Sequence, residues 1–237
     1  MEGFSYSNIF ETKGIEYIAI IAFFMILVPF WILLNKKGAI KQKIQNVLKF
    51  LSFDVLKIPQ GVFYSKNHTW AFLEKSGIAS VGLDDFLLHT TGEVQLQNIK
   101  KPGEVVSKGD LLTELTKNNN VLKIYSPISG IVQNFNFQIN EFPELLGNDP
   151  YGKGWVYKIK PTNWIDETQS LYLADEATNW SKIEMQRFKD FLAQSSKKIS
   201  NEPSLIVLQD GGELIDNTLS HLPDVVWKDF QDNFLKV

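Results

Sequence analysis

The sequence predicts a β-rich α+β protein: one N-terminal transmembrane helix, a barrel or sandwich of short strands, and a C-terminal α/β extension. Three observations lead there. An unbroken apolar run fills residues 18–34. Between Phe63 and Pro161, short apolar segments alternate with Gly, Pro, Asn and Asp turn signals, the spacing of a small β domain. Beyond Pro161 the apolar pattern turns helical and then returns to a hairpin. With 237 residues, 44% apolar and 22% charged, the chain can bury a core. A net charge of -3 leaves no basic footprint for nucleic acid. The absence of cysteine excludes disulfides, thiolate metal sites and thiol nucleophiles.

Residues 1–16 are a short lead, and 17–35 the expected transmembrane helix. At about 1.5 Å per residue the run 18–34 spans roughly 26 Å, against a hydrocarbon core of about 30 Å. Tyr17 and Trp31 suit the interfaces, and Lys36 and Lys37 can snorkel. Pro29 is tolerated in a lipid-embedded helix. A cleavable signal peptide fits less well, because the basic residues follow the run and no small-x-small site appears. Glu2, Glu11 and Glu16 lie upstream, whereas Lys36, Lys37, Lys41, Lys43 and Lys49 lie downstream. The positive-inside rule then predicts a single-pass inner-membrane protein, N-terminus out and C-terminal part cytoplasmic. Residues 36–60 read as an amphipathic juxtamembrane helix and linker, with Ile40, Ile44, Val47, Leu48 and Leu51 at helical spacing. Such a helix suits either the lipid headgroups or a partner's apolar surface.

Residues 61–165 carry the β domain. Apolar-rich strands at 70–73 and 78–81 flank a Ser76-Gly77 turn. Turns at Lys101-Pro102-Gly103 and Lys108-Gly109-Asp110 bracket Val105-Val106. Strands at 111–115 and 121–125 enclose Asn118-Asn119-Asn120, good hairpin chemistry because asparagine tolerates left-handed backbone. Ser129-Gly130 turns the chain into a strand at 131–135.

Several runs stand out within this span: Lys66-Asn67-His68-Thr69-Trp70, Val81-Gly82-Leu83-Asp84-Asp85-Phe86, Tyr125-Ser126-Pro127 and Asn148-Asp149-Pro150-Tyr151-Gly152-Lys153-Gly154-Trp155. In order and spacing the chain resembles the glycine cleavage system H proteins. That resemblance implies a lipoyl/biotinyl-type hybrid barrel with a lipoyl group on one lysine near a hairpin tip. Its ungapped match puts Asn119 at the lysine and Thr116 at the glutamate three residues earlier. An amide cannot be acylated by lipoate, so the expectation is a chain without cofactor, with Lys117 and Lys123 as fallback acceptors.

No other chemistry is evident. His68, His89 and His221 are dispersed, and His68 reads as a structural residue rather than a metal ligand. Glu141 and Glu144 read as solvated loop carboxylates rather than an acid/base pair. Gly211-Gly212 is too short for a phosphate loop. Neither a catalytic residue nor a metal site is expected, and the chain is not read as an enzyme.

Residues 166–237 form the extension. Ser181 and Glu184 read as a capping box before an apolar stripe of Ile183, Phe188, Phe191 and Leu192. The stretch 205–208, the turn Asp210-Gly211-Gly212 and residues 213–215 suggest a hairpin. Pro223 opens a helix with Trp227, Phe230 and Phe234 on one side. Those aromatics pack on the chain's own barrel, or alternatively form a partner-binding face.

These features predict a non-catalytic, non-lipoylated accessory or scaffold subunit of an inner-membrane assembly, of the respiratory or redox kind. Its partners are the bilayer through 17–35 and other membrane-complex subunits. The alternative is a lipoyl carrier of a glycine-cleavage-like system, modified at a relocated lysine. A third class is a ligand-binding module using the lipoyl-arm cleft.

Overall fold

The computed structural model describes residues 17–31, 50–199 and 214–236. The chain divides into two compact units, Met1–Lys49 and Phe50–Val237. In the first, residues 17–31 form helix α1, exposed along its whole length. Among the described residues no helix is long and apolar enough to cross a membrane. The expected span at 17–35 is thus seen as helix over 17–31 only. Its last residues and the basic stretch 36–49 lie outside the described residues.

The second unit is built from antiparallel sheets. Strands β2 (Phe63–Tyr64), β3 (Thr69–Leu73), β4 (Ala79–Leu83), β10 (Tyr157–Pro161), β9 (Gly130–Phe135) and β6 (Val105–Val106) lie side by side in that order. Strands β5 (Gln95–Asn98), β7 (Leu111–Lys117) and β8 (Asn120–Tyr125) form a second sheet. The turn signals are satisfied where they were expected: Gly77, between β3 and β4, has φ +80°, a conformation that suits glycine. Period-2 alternation then fills one core: Leu115, Leu122 and Ile124 of the small sheet are buried in one cluster with Val132, Tyr157 and Ile159 of the large one. Tyr157 joins the two sheets, its hydroxyl donating to Leu112 O at 2.9 Å. Burial pushes its pKa up to about 12, so it remains a donor.

A short helix α2 (Asp85–Thr91) follows β4, N-capped by Asp84, whose Oδ1 accepts the Leu87 N–H at 2.8 Å. Helices α3 (Gln138–Glu141), α4 (Leu145–Asn148) and α5 (Trp164–Thr168) fill the connections. The loop after α4 is fastened through Asp149, Tyr151 and Asn136. Asp149 accepts the Gly152 and Lys153 N–H groups, and the Tyr151 hydroxyl accepts the Asp85 N–H. Asn136 clamps the same loop by donating to Lys153 O and Trp155 O.

Three expectations change. Of the helix and linker expected over 36–60, residues 36–49 lie outside the described residues; Phe50–Leu51 is strand β1, and Leu51 is buried. Its partner is β11 (Leu214–Ile215), pairing Phe50 with Ile215, where the sequence suggested a local hairpin whose first arm lies outside the described residues. Helix α6 runs from Asp175 to Ile199, so Ser181 is interior and not a cap. Its hydroxyl donates back to Ala177 O, the usual outlet for a mid-helix serine. Ile183 lies on the exposed face of α6, while Phe188 and Leu192 are buried.

For Trp227, Phe230 and Phe234 the structure takes the first of the two expectations, packing within the chain's own core, and not the alternative of a partner-binding face. Trp227 lies within a short helix, α7 (Asp224–Asp229), and Phe230 and Phe234 belong to the π-helical turn that continues it. All three are sealed, at 3%, 0% and 1% exposure. The Phe230 and Phe234 rings stack at 4.8 Å, with Phe188 edge-on to both. The extension therefore completes the core of the β domain. Phe230→Ala should lower the unfolding free energy by about 3–5 kcal/mol through the cavity it leaves. Denaturant melts of the whole chain in mild detergent measure this, and an unchanged midpoint would contradict the packing.

Candidate functional site

The hairpin β7–β8 ends in the pair Lys117 and Asn120, leaving Asn118 and Asn119 as the turn. Asn118 takes φ +53°, which asparagine accepts more readily than most residues. Both turn side chains are exposed amides, without nucleophilic or acid/base capacity. Of the two fallback lysines, Lys123 lies exposed on β8, opposite Glu114.

Lys117 is held inward. Its ammonium donates to Ser220 Oγ at 2.6 Å and to Thr91 O at 3.0 Å. Ser220 itself donates to Thr91 O at 2.7 Å. Burial depresses the Lys117 pKa, with Glu93 acting the other way. Beside it, a cleft of about 490 Å³ opens between Glu93, Val94 and Gln95, the hairpin residues Thr116 to Asn118, and Pro143.

Gly92 is the point where these pieces meet. A Cβ there would lie 2.7 Å from Asn217 Oδ1 and 2.9 Å from Lys117 Nζ. Its φ of +70° and ψ of −155° belong to backbone that is essentially glycine-only.

His68 is fully buried, at 0% exposure, with φ +57°. Nδ1 bonds Asp84 Oδ2 at 2.8 Å, and Nε2 faces Glu184 Oε2 at 3.5 Å, an ion-pair separation rather than a hydrogen bond. Burial alone would drive the imidazole toward neutrality. Asp84 and Glu184 override it and hold the pKa at about 9. Glu184 is held below its usual range despite burial, by His68 and by Arg187. Arg187 in turn donates to Phe234 O at 2.9 Å and lies over that ring.

His89 repeats the device nearer the surface. Nδ1 bonds Asp216 at 2.8 Å, and Nε2 lies 3.4 Å from Asp85. Burial again acts downward, and the two carboxylates raise the pKa to about 9.

The sequence singled out the hairpin and His68. It missed the partners that decide their chemistry, since Ser220 and Asp216 lie more than a hundred residues from Lys117 and His89. No local signal marks such pairs. His221, Glu141 and Glu144 are exposed. Among the described residues, no group of three or more His, Asp or Glu is placed to hold a metal ion.

Comparison with known proteins places these features in a context. The family model for the glycine cleavage H-protein matches residues 62–184. The probable glycine cleavage system H protein of Pyrococcus horikoshii is 34% identical over 126 residues, covering 53% of this chain and 93% of that protein. That of Thermococcus kodakarensis is 36% identical over 115 residues, covering 48% and 85%. The glycine cleavage system H protein of Thermus thermophilus is 32% identical over 116 residues, covering 49% and 90%. The crystal structure of the H protein from Mycobacterium marinum aligns at a TM-score of 0.47 and 26% identity, over 53% of this chain and 99% of that one.

Two outcomes follow from this geometry. Histidines whose folded pKa is raised stabilise fully below the unfolded value of 6.5 and lose that contribution as pH rises through about 9. The melting temperature should therefore fall between pH 6.5 and 9.5, and His68→Gln should flatten part of that slope. Gly92→Ala should destabilise by at least about 1–3 kcal/mol from backbone strain, visible in a denaturant titration.

Proposed function

Because the chain belongs to the glycine cleavage H-protein family, we propose that it works as a family module without a lipoyl arm at its hairpin tip. In this reading it is a non-catalytic accessory subunit, tethered to a membrane assembly through residues 17–35. The observation that carries it is the tip itself: two amides form the turn, and the neighbouring amine is tied inward to Ser220 and Thr91. A swinging carrier needs a primary amine projecting from that turn. Support for the tether is the exposed apolar surface of α1 and the five lysines that follow it. The five lysines also support a cytoplasmic domain.

A second reading is a lipoyl carrier of a glycine-cleavage-type system, modified at Lys117 or Lys123. The names of the relatives favour that class over a membrane accessory role. Lys123 is exposed enough to be reached but lies on the strand rather than at the turn. Lys117 adjoins the turn but has to break two hydrogen bonds first.

Peptide mass mapping of the protein purified in mild detergent separates the two. Unmodified Lys117 and Lys123 are expected, and lipoate on either would establish the carrier reading instead. For the tether, carbonate washing of membranes should leave the chain in the pellet, whereas release into the supernatant would refute it.

A further inference from the structure

The extension grips the hairpin by both of its strands. On β7 it takes the Lys117 ammonium through Ser220. On β8 the Gln231 Oε1 accepts the Lys123 backbone N–H at 2.6 Å. Between these grips, the Asn217 N–H bonds His89 O at 2.6 Å and Asp216 pairs with the His89 ring. The Trp227 indole N–H bonds Leu219 O at 2.8 Å, which fastens the Thr218–His221 turn to the buried aromatic cluster. Residues 216–221 thus lie as a short strap beside the tip end of the hairpin, bonded to Lys117 through Ser220 and anchored by Trp227.

We propose that this strap is a built-in cover, which withholds the Lys117 amine from acyl transfer at the hairpin. Acylation requires the amine lone pair to attack an activated acyl carbon, a thioester or active ester, expelling its leaving group and losing a proton as the amide forms. While Nζ is bonded to Ser220 Oγ and Thr91 O, that approach is closed. Release of the strap exposes the amine beside the tip. The proposal rests on the unarmed reading, in which Lys117 is the unacylated amine adjoining the turn.

The test is a brief pulse of a water-soluble acetylating ester on the full chain in mild detergent, with rates read for each lysine by peptide mass spectrometry. Groups that react only after local opening are slowed by the opening equilibrium, so Lys117 should react at least about tenfold slower than Lys123 in the same molecule. Ser220→Ala, and separately Asp216→Asn, should each speed Lys117 several-fold and leave Lys123 unchanged. Equal rates at the two lysines in the unaltered protein would overturn the cover, a result that needs no variant to fold. A Lys117 rate indifferent to both substitutions would also overturn it. Lipoate already on Lys117 would instead overturn the unarmed reading, and shows in the mass before any reagent is added.

Discussion

A charged imidazole sealed inside the protein ties the parts of this unit together. His68 lies between β2 and β3, Asp84 caps α2, Glu184 sits on α6, and Arg187 reaches the π-helical turn. Moving such charges out of water costs several kcal/mol per ion, which only close pairing on every side offsets. Here the ring carries a carboxylate toward each nitrogen. Phe86 stacks on it at 5.0 Å, Phe234 stacks at 5.7 Å, and Trp180 lies tilted at 5.2 Å. The backbone repeats the tie, since the Asp84 N–H donates to His68 O. Removing one member would leave its neighbours' buried charge with fewer partners, which couples the barrel to the extension.

That constraint bears on the hairpin. With α6 fixed by Glu184 and the π-helical turn fixed by Phe234, the chain before that turn runs back past α2. There His89 and Gly92 receive Asp216 and Asn217, and Ser220 reaches Lys117. The inward turn of the one amine beside the tip is therefore a consequence of how the extension is seated. A family module carrying this extension presents amides at its turn, with the neighbouring lysine already engaged. The same packing takes Trp227, Phe230 and Phe234 out of reach of any partner.

What was legible in the sequence is what rests on local chemistry. The Ser76-Gly77 turn, the asparagine turn of β7–β8 and the alternating strands all appear in place, because turn residues and period-2 patterns act over a few residues. The capping box at Ser181 misled because the same residues serve another purpose: Ser181 bonds back along the helix and Glu184 answers a histidine more than a hundred positions away. Leu51 was read onto a helical face, whereas pairing with Leu214 across the whole domain makes it strand. The long-range partners of Lys117 and His89 were invisible for the same reason. Tertiary contacts settled each of these cases, and none has a sequence period.

The most direct test of this picture is the charge on His68 itself. A two-dimensional NMR titration of the ring nitrogens in the full chain reads it without perturbing the fold. The account predicts an imidazolium with both nitrogens protonated at pH 7, titrating near pH 9. A neutral His68 ring at pH 7, titrating below 6.5, would contradict it and leave the buried carboxylate of Glu184 paired with Arg187 alone.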